Sequence, residues 1–181
     1  MSFYLIILGF VVLFYIIYRF YGSSNVDPHG KYILISGCDS GFCHELAVRL
    51  DEQGFNILAG VLLPESVKSL TKKLSSRSNV FVVDITKDED IDSFYDNLQR
   101  KGVILHALVN NARIDGGSYV DMTSMDVMRR LMNVNFYGHV SMTKKCLSLL
   151  LKKRGSRVVN ICSVAGYIAS PGLAAYCASK C

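Results

Sequence analysis

The chain opens with MSFYLIILGFVVLFYIIY, a run without a charged side chain that ends at Arg19. From Lys31 the pattern changes. Short β-branched runs alternate with stretches whose apolar residues recur every three or four positions. Tyr32–Ser36 (YILIS) reads as a buried strand, and residues 42–53 follow as a helix with Phe42, Leu46 and Leu50 stacked at i+4. Residues 56–62 form the second strand, with Val67, Leu70 and Leu74 marking the second helix. Residues 80–83 form the third strand, with Ile91, Phe94 and Leu98 marking the third helix. Residues 107–110 give a fourth strand. A long helix follows over residues 126–153, with Val127, Leu131, Val134, Met142 and Leu149 on one stripe, and residues 157–161 (RVVNI) make the fifth strand. Alternating β and α with apolar strands implies an α/β fold, a doubly wound parallel sheet of Rossmann-like type. Right-handed crossovers then place any ligand along the edge formed by the C-terminal ends of the strands.

The uncharged N-terminal run is long enough to matter. Eighteen helical residues span about 27 Å, close to the thickness of an endoplasmic reticulum bilayer. Tyr4 near one end and Tyr15, Tyr18 and Tyr21 near the other suit membrane interfaces. A cleaved signal peptide is the rival, but it needs a basic leading segment, which is absent, and a small-residue cleavage site, for which Gly22-Ser23-Ser24 is a weak candidate. A buried helix is the third alternative. The expected organisation is a transmembrane anchor over residues 1–21, a linker over residues 22–30 (GSSNVDPHG) and a soluble domain over residues 31–181. Arg19 and Lys31 after the run favour a cytosolic domain.

Composition adds limits. The chain has 181 residues, 50% of them apolar, which suits about one domain with a sizeable core. The net charge of +5 is modest, and Arg129-Arg130, Lys144-Lys145 and Lys152-Lys153-Arg154 sit in predicted helices, the last at a helix end where positive charge suits the macrodipole. Solvated helix faces explain these clusters, and nucleic acid is not an expected partner. Cys38, Cys43, Cys146, Cys162, Cys177 and Cys181 match no common zinc spacing, so no metal site is expected and reduced thiols are the preferred reading.

The candidate chemistry sits where the strands end. After the first strand come Ser36-Gly37-Cys38-Asp39-Ser40-Gly41-Phe42-Cys43 and then a helix. Glycines at a strand-to-helix turn let the backbone approach a pyrophosphate whose charge the helix N-terminus meets. Asp84-Ile85-Thr86 follows the third strand, and Asn110-Asn111-Ala112 follows the fourth. Asn135 lies in the long helix, Ser163 follows the fifth strand, and Tyr176 and Lys180 stand four apart.

This ordered set resembles the short-chain dehydrogenase/reductase family from Lys31 to Cys181. In detail it is most similar to the membrane-associated retinol and hydroxysteroid dehydrogenase branch, and similar also to the β-hydroxybutyrate dehydrogenases. The resemblance implies hydride transfer between NAD(H) and a lipophilic alcohol or ketone of steroid or retinoid type. It makes Tyr176 the general acid/base and Lys180 the cation that favours its phenolate and holds the nicotinamide ribose. It gives Ser163 a hydrogen bond to the substrate oxygen and Asn135 a water in the proton path. Ser36, Gly37, Asp39, Ser40, Gly41, Phe42, Asp84, Ile85, Asn111 and Ala112 would hold the cofactor, with Tyr176 and Lys180. The second strand ends in Leu62-Leu63-Pro64 without Arg or Lys, and Asp39 would repel a 2′-phosphate, which favours NAD over NADP. An endoplasmic reticulum membrane is the expected location, and homo-oligomers belong to the complete family form.

Three departures stand against the family pattern. Cys43 replaces its third glycine and Arg113 the glycine after Asn-Asn-Ala. Family members also continue well past the equivalent of Cys181. Because a catalytic pair must be held to within about 0.5 Å, the expectation is a product truncated after the fifth strand and inactive as written, with Tyr176 on a frayed turn. The competing reading is a membrane-tethered remnant that binds cofactor weakly or serves an interaction role.

Overall fold

A computed structural model describes residues 2–21 and 26–181, so part of the expected linker, residues 22–25, lies outside the described residues. The first helix, α1, runs over Ser2–Tyr21. Its side chains are described at Tyr4, at residues 7–16 and at Tyr18, and all of these are exposed. Among the described residues, no helix is long and apolar enough to cross a membrane, so the structure does not support the transmembrane anchor expected over residues 1–21.

The domain alternates β1 (Tyr32–Ser36), α2 (Gly41–Glu52), β2 (Asn56–Val61), α3 (Pro64–Thr71), β3 (Asn79–Val82), α4 (Asp88–Arg100) and β4 (Leu105–Asn110). Then come α5 (Met125–Met132), a π-helical turn (Asn133–Gly138), α6 (His139–Leu150), β5 (Arg157–Asn160) and α7 (Ala174–Lys180). The five strands form one sheet in the order β3-β2-β1-β4-β5, and every pairing is parallel. The chain winds outward in both directions from β1, so β1 and β4 flank the point where strand order reverses. A Rossmann-like sheet opens its ligand crevice there.

The period-2 pleat sorts the core into two layers. Ile33 and Ile35 face one side with Ile57, Ala59 and Val109, covered by Ala47 of α2 and Leu70 of α3. Leu34 faces the other with Leu58 and Leu108, covered by Ile91, Phe94 and Leu98 of α4 and by Met142 and Leu149 of α6. Each fully buried aliphatic of this set contributes about 1.5–3 kcal/mol of transfer free energy.

Two predicted elements differ in substance. Phe42, expected to anchor α2, is 82% exposed, whereas Cys43, Ala47 and Asp51 are buried. Leu46 and Leu50 of the expected stripe pack half-buried at the edge of the core, and small Cys43 and Ala47 take the centre of the face because they let the helix approach the sheet. The long helix expected over residues 126–153 is three segments, since a π turn inserts one extra residue per turn at Asn133–Gly138. Val127 lies before this turn and is 41% exposed, while Leu131, Met142 and Leu149 keep their places in the core.

Candidate functional site

The glycine turn and the loop after β4 are stitched together across the switch point. Gly37 adopts φ 72°, and a Cβ there would lie 2.6 Å from Ala112 Cα and 3.1 Å from Asn111 Nδ2. No side chain fits this position, so the requirement for glycine is steric as well as conformational. Ser36 Oγ accepts from Asn111 N at 3.1 Å and Ala112 N at 3.2 Å. Asn111 Nδ2 donates to the carbonyls of Ser36 at 3.2 Å and Gly37 at 3.1 Å. Beyond this seam opens a cleft of about 1200 Å³, walled by Gly37, residues 39–42, Asp84 and Ile85, and Asn111 and Ala112. Nine of the ten non-catalytic residues expected to hold a cofactor line it, and the tenth, Ser36, underlies the seam.

Two carboxylates shape the cleft through backbone contacts. Asp39 accepts from Leu62 N at 2.9 Å and Leu63 N at 2.9 Å, which brings a carboxylate to the end of β2. Asp84 accepts from Thr86 N at 3.0 Å and Thr86 Oγ1 at 2.7 Å, while its own N–H donates to Asp90 at 3.0 Å. Cys43, at the departure from the third family glycine, is buried in the α2 layer, and burial pushes its thiol up to about 11. A buried thiol therefore fills the close approach between α2 and the sheet.

The expected acid/base residues gather on α7. Cys177, Ser179 and Lys180 are buried there, so Tyr176 and Lys180 belong to a packed helix and not to a frayed turn. Lys180 Nζ donates to Ile161 O at 3.3 Å, just past β5. Burial lowers its pKa, and the Arg113 guanidinium lowers it further while Cys162 acts the other way. Asn135 in the π turn ties α7 to the cleft. Its Oδ1 accepts from Ile114 N at 2.9 Å, and its Nδ2 donates to Ile114 O at 2.9 Å and Ser179 Oγ at 2.9 Å. Ser179 Oγ in turn donates to Tyr176 O at 2.8 Å. Ser163 stays apart. Its hydroxyl accepts from Ala165 N at 3.2 Å, and among the described residues no hydrogen bond joins it to Tyr176.

Two positioning residues escaped the sequence reading. Ser179 carries the link just described and sits inside the Tyr176–Lys180 segment as a small polar residue with no mark of its role. His139 donates from Nε2 to Ala112 O at 2.7 Å. Burial lowers its pKa, opposed by that hydrogen bond and aided by Lys180, so a neutral ring fixes the loop. Its spacing of four from Asn135 was the available signal. Gly138 completes the turn, since a Cβ there would lie 2.7 Å from Ile85 Cδ1, and its absence lets the helix press on the Asp84-Ile85 loop.

Comparison with known proteins agrees with this geometry. The chain is 38% identical to estradiol 17-beta-dehydrogenase 2 of Mus musculus, over 94% of this chain and 46% of that protein. It is 36% identical to the mitochondrial D-beta-hydroxybutyrate dehydrogenase of Mus musculus, over 90% of this chain and 49% of that protein. Retinol dehydrogenase 5 of Homo sapiens is 37% identical, over 86% of this chain and 49% of that protein. The chain thus spans about half the length of the curated relatives it matches. Among solved structures, NAD+-bound xylitol dehydrogenase superposes with a TM-score of 0.80 at 25% identity, over 86% of this chain and 61% of that one. The short chain dehydrogenase family model matches residues 31–181, the whole of the domain that carries the seam, the cleft and α7, and the chain belongs to that family.

Proposed function

We propose that this chain forms the cofactor-binding and acid/base part of a membrane-tethered, NAD-linked dehydrogenase of lipophilic alcohols or ketones. The observation that carries the reading is the seam between Gly37 and Ala112, which leaves bare backbone at the mouth of a cleft large enough for a dinucleotide. The residues present fit a nicotinamide dinucleotide: the glycine turn with the α2 N-terminus suits a diphosphate, and Asp84 with Ile85 lies where the far nucleoside would rest. Bound nicotinamide supplies the hydride chemistry. Tyr176 gives or takes the proton of the substrate oxygen, and Lys180 favours its phenolate. Asn135 and Ser179 hold that helix against the loop after β4. Asp39, set at the end of β2 by the Leu62 and Leu63 amides, supports NAD over NADP, because a 2′-phosphate there would meet a carboxylate.

Relatives named for estradiol, retinol and hydroxybutyrate support an alcohol or ketone substrate, and the first two favour a lipophilic one. The uncharged α1 segment before Arg19, whose described side chains are exposed, supports a tether at the endoplasmic reticulum membrane surface rather than a span. The test is an assay with NAD and a panel of steroids and retinol. It is run on this chain and on the same chain extended by the C-terminal part of the estradiol enzyme. Turnover that falls 10²–10⁴-fold or more on Tyr176→Phe, with NADH binding retained, is the expected result. Turnover untouched by Tyr176→Phe would remove Tyr176 from the chemistry. NADH binding without turnover in either form would favour the non-catalytic tethered protein instead.

A further inference from the structure

We propose that Arg113 is the anion anchor of the cleft, its guanidinium binding the diphosphate of the dinucleotide. The assignment rests on the dehydrogenase reading above. The residue before it is held from three sides. Ala112 Cα closes on Gly37, its N–H donates to Ser36 Oγ, and its carbonyl accepts from His139 Nε2. Arg113 therefore leaves a fixed point at the rim of the glycine turn, and its exposed side chain lines the same cleft.

Charge on the cleft wall points the same way. Asp39 is committed to the Leu62 and Leu63 amides, Asp84 to Thr86 and Asp126 to Arg129 at 3.1 Å. Among the described residues, Arg113 has neither an ion pair nor a side-chain hydrogen bond. Its charge reaches Lys180, whose ammonium it disfavours. Of the lining guanidiniums without an ion pair among the described residues, Arg49, Arg113 and Arg130, it is Arg113 that leaves the loop bound to Gly37, and an anion beside it relieves its repulsion of Lys180. A diphosphate carries two adjacent negative groups, and a planar guanidinium meets them with paired donors. The 2′ side of the ribose is excluded as the target, because Asp39 already occupies the end of β2 across the cleft. The side chain that replaces a family glycine then acts as a second hold on the cofactor, beside the backbone of the turn.

The test uses the full chain in detergent, titrated with NADH by cofactor fluorescence and with ADP-ribose and adenosine by calorimetry. Arg113→Met is expected to weaken NADH and ADP-ribose by about 10-fold or more, the scale of a charge-assisted hydrogen bond. Adenosine affinity should stay unchanged, the salt dependence of ADP-ribose binding should flatten, and Arg113→Lys should keep most of the affinity. ADP-ribose affinity within twofold of the unaltered chain would overturn the assignment, as would a parallel loss of adenosine binding. Loss of 3-hydroxybutyrate binding with ADP-ribose intact would overturn it in favour of a substrate carboxylate. If the unaltered chain binds neither NADH nor ADP-ribose, the dehydrogenase reading fails and this assignment with it.

Discussion

The two flanks of the sheet are built from similar strands to different effect. On one side β2 (NILAGV) is buried from Ile57 onward, between β1 and β3 and under α2. On the other, among the described residues β5 (RVVN) pairs only with β4, and each of its residues is exposed, Val158 and Val159 at 38% each. Strand sequence alone therefore does not decide burial, which neighbours and covering helices supply. The same contrast divides the site. The proposed cofactor half is built around backbone, with Gly37 against Ala112 and the Ser36, Asp39 and Asn111 side chains all bound to main-chain groups. The proposed acid/base half is set by side chains, with the Asn135 amide tying α7 to the loop after β4. The first should tolerate changes around it and fail at single glycines, and the second should loosen gradually.

Breaking the backbone half gives the largest effect. Gly37→Val adds a Cβ that meets Ala112 Cα at 2.6 Å at a left-handed φ. Dinucleotide binding should fall by more than about 100-fold, alongside strain of about 1–3 kcal/mol from the conformation alone. Retained NADH binding would show that the seam is not the cofactor's seat. Next comes Asn135→Ala, which strips partners from Ile114 N, Ile114 O and Ser179 Oγ. We expect about 3 kcal/mol of lost stability, with hydrogen exchange rising in residues 112–118 and in α7 before β1 or β2. Uniform exchange across the sheet would erase the distinction between the halves.

A smaller effect separates stability from site chemistry on the closed flank. Asp51 at the far end of α2 accepts from Ser75 N at 2.8 Å, Ser75 Oγ at 2.7 Å and Ser78 Oγ at 2.5 Å. Burial pushes its carboxyl up, but the bonds from Ser78 and Ser75 and the Arg77 charge outweigh it and hold the pKa below the ordinary value. A carboxyl depressed in the folded state stabilises above its unfolded pKa of about 3.9, and that contribution is lost as pH falls through the folded value. Asp51→Asn should cost about 2 kcal/mol at pH 7 and flatten stability against pH below about 4, without changing NADH affinity.

Lys180→Met should have the least effect on stability. Folding lowers the pKa of Lys180, so the folded state binds fewer protons as pH nears the unfolded value of about 10.4, and stability rises with pH there. Removing the buried ammonium should change stability by about 0–1 kcal/mol, toward gain, remove that alkaline rise and weaken NADH binding. A large destabilisation would make Lys180 a structural residue instead.

Much of this was legible in the sequence because it repeats or recurs in order. The β-α alternation located all five strands, and the family pattern singled out Gly37, Asn111 and Ala112, which line the cleft. What was hidden depends on contacts. Cys43 and Ala47 look less hydrophobic than Phe42, so only the close approach of α2 to the sheet reveals the buried face. The π turn is hidden because buried Leu131 and Met142 stand eleven positions apart, about three regular turns, so the apolar stripe reads as one α-helix across it. Asp51 resembles any acid near a helix end until Ser75 and Ser78 fold over it.

The most direct test of the central claim, that the seam between the glycine turn and the loop after β4 seats an NAD-type dinucleotide, is a paired titration of the full chain with NADH and NADPH. The chain contains no tryptophan, so the change in cofactor fluorescence reports binding without protein background from that residue. The account predicts saturable NADH binding about 10-fold or more tighter than NADPH, the scale of one unfavourable charge contact, with the preference narrowed or inverted by Asp39→Arg. No saturable binding, or NADPH bound as tightly as NADH by the unaltered chain, would contradict it.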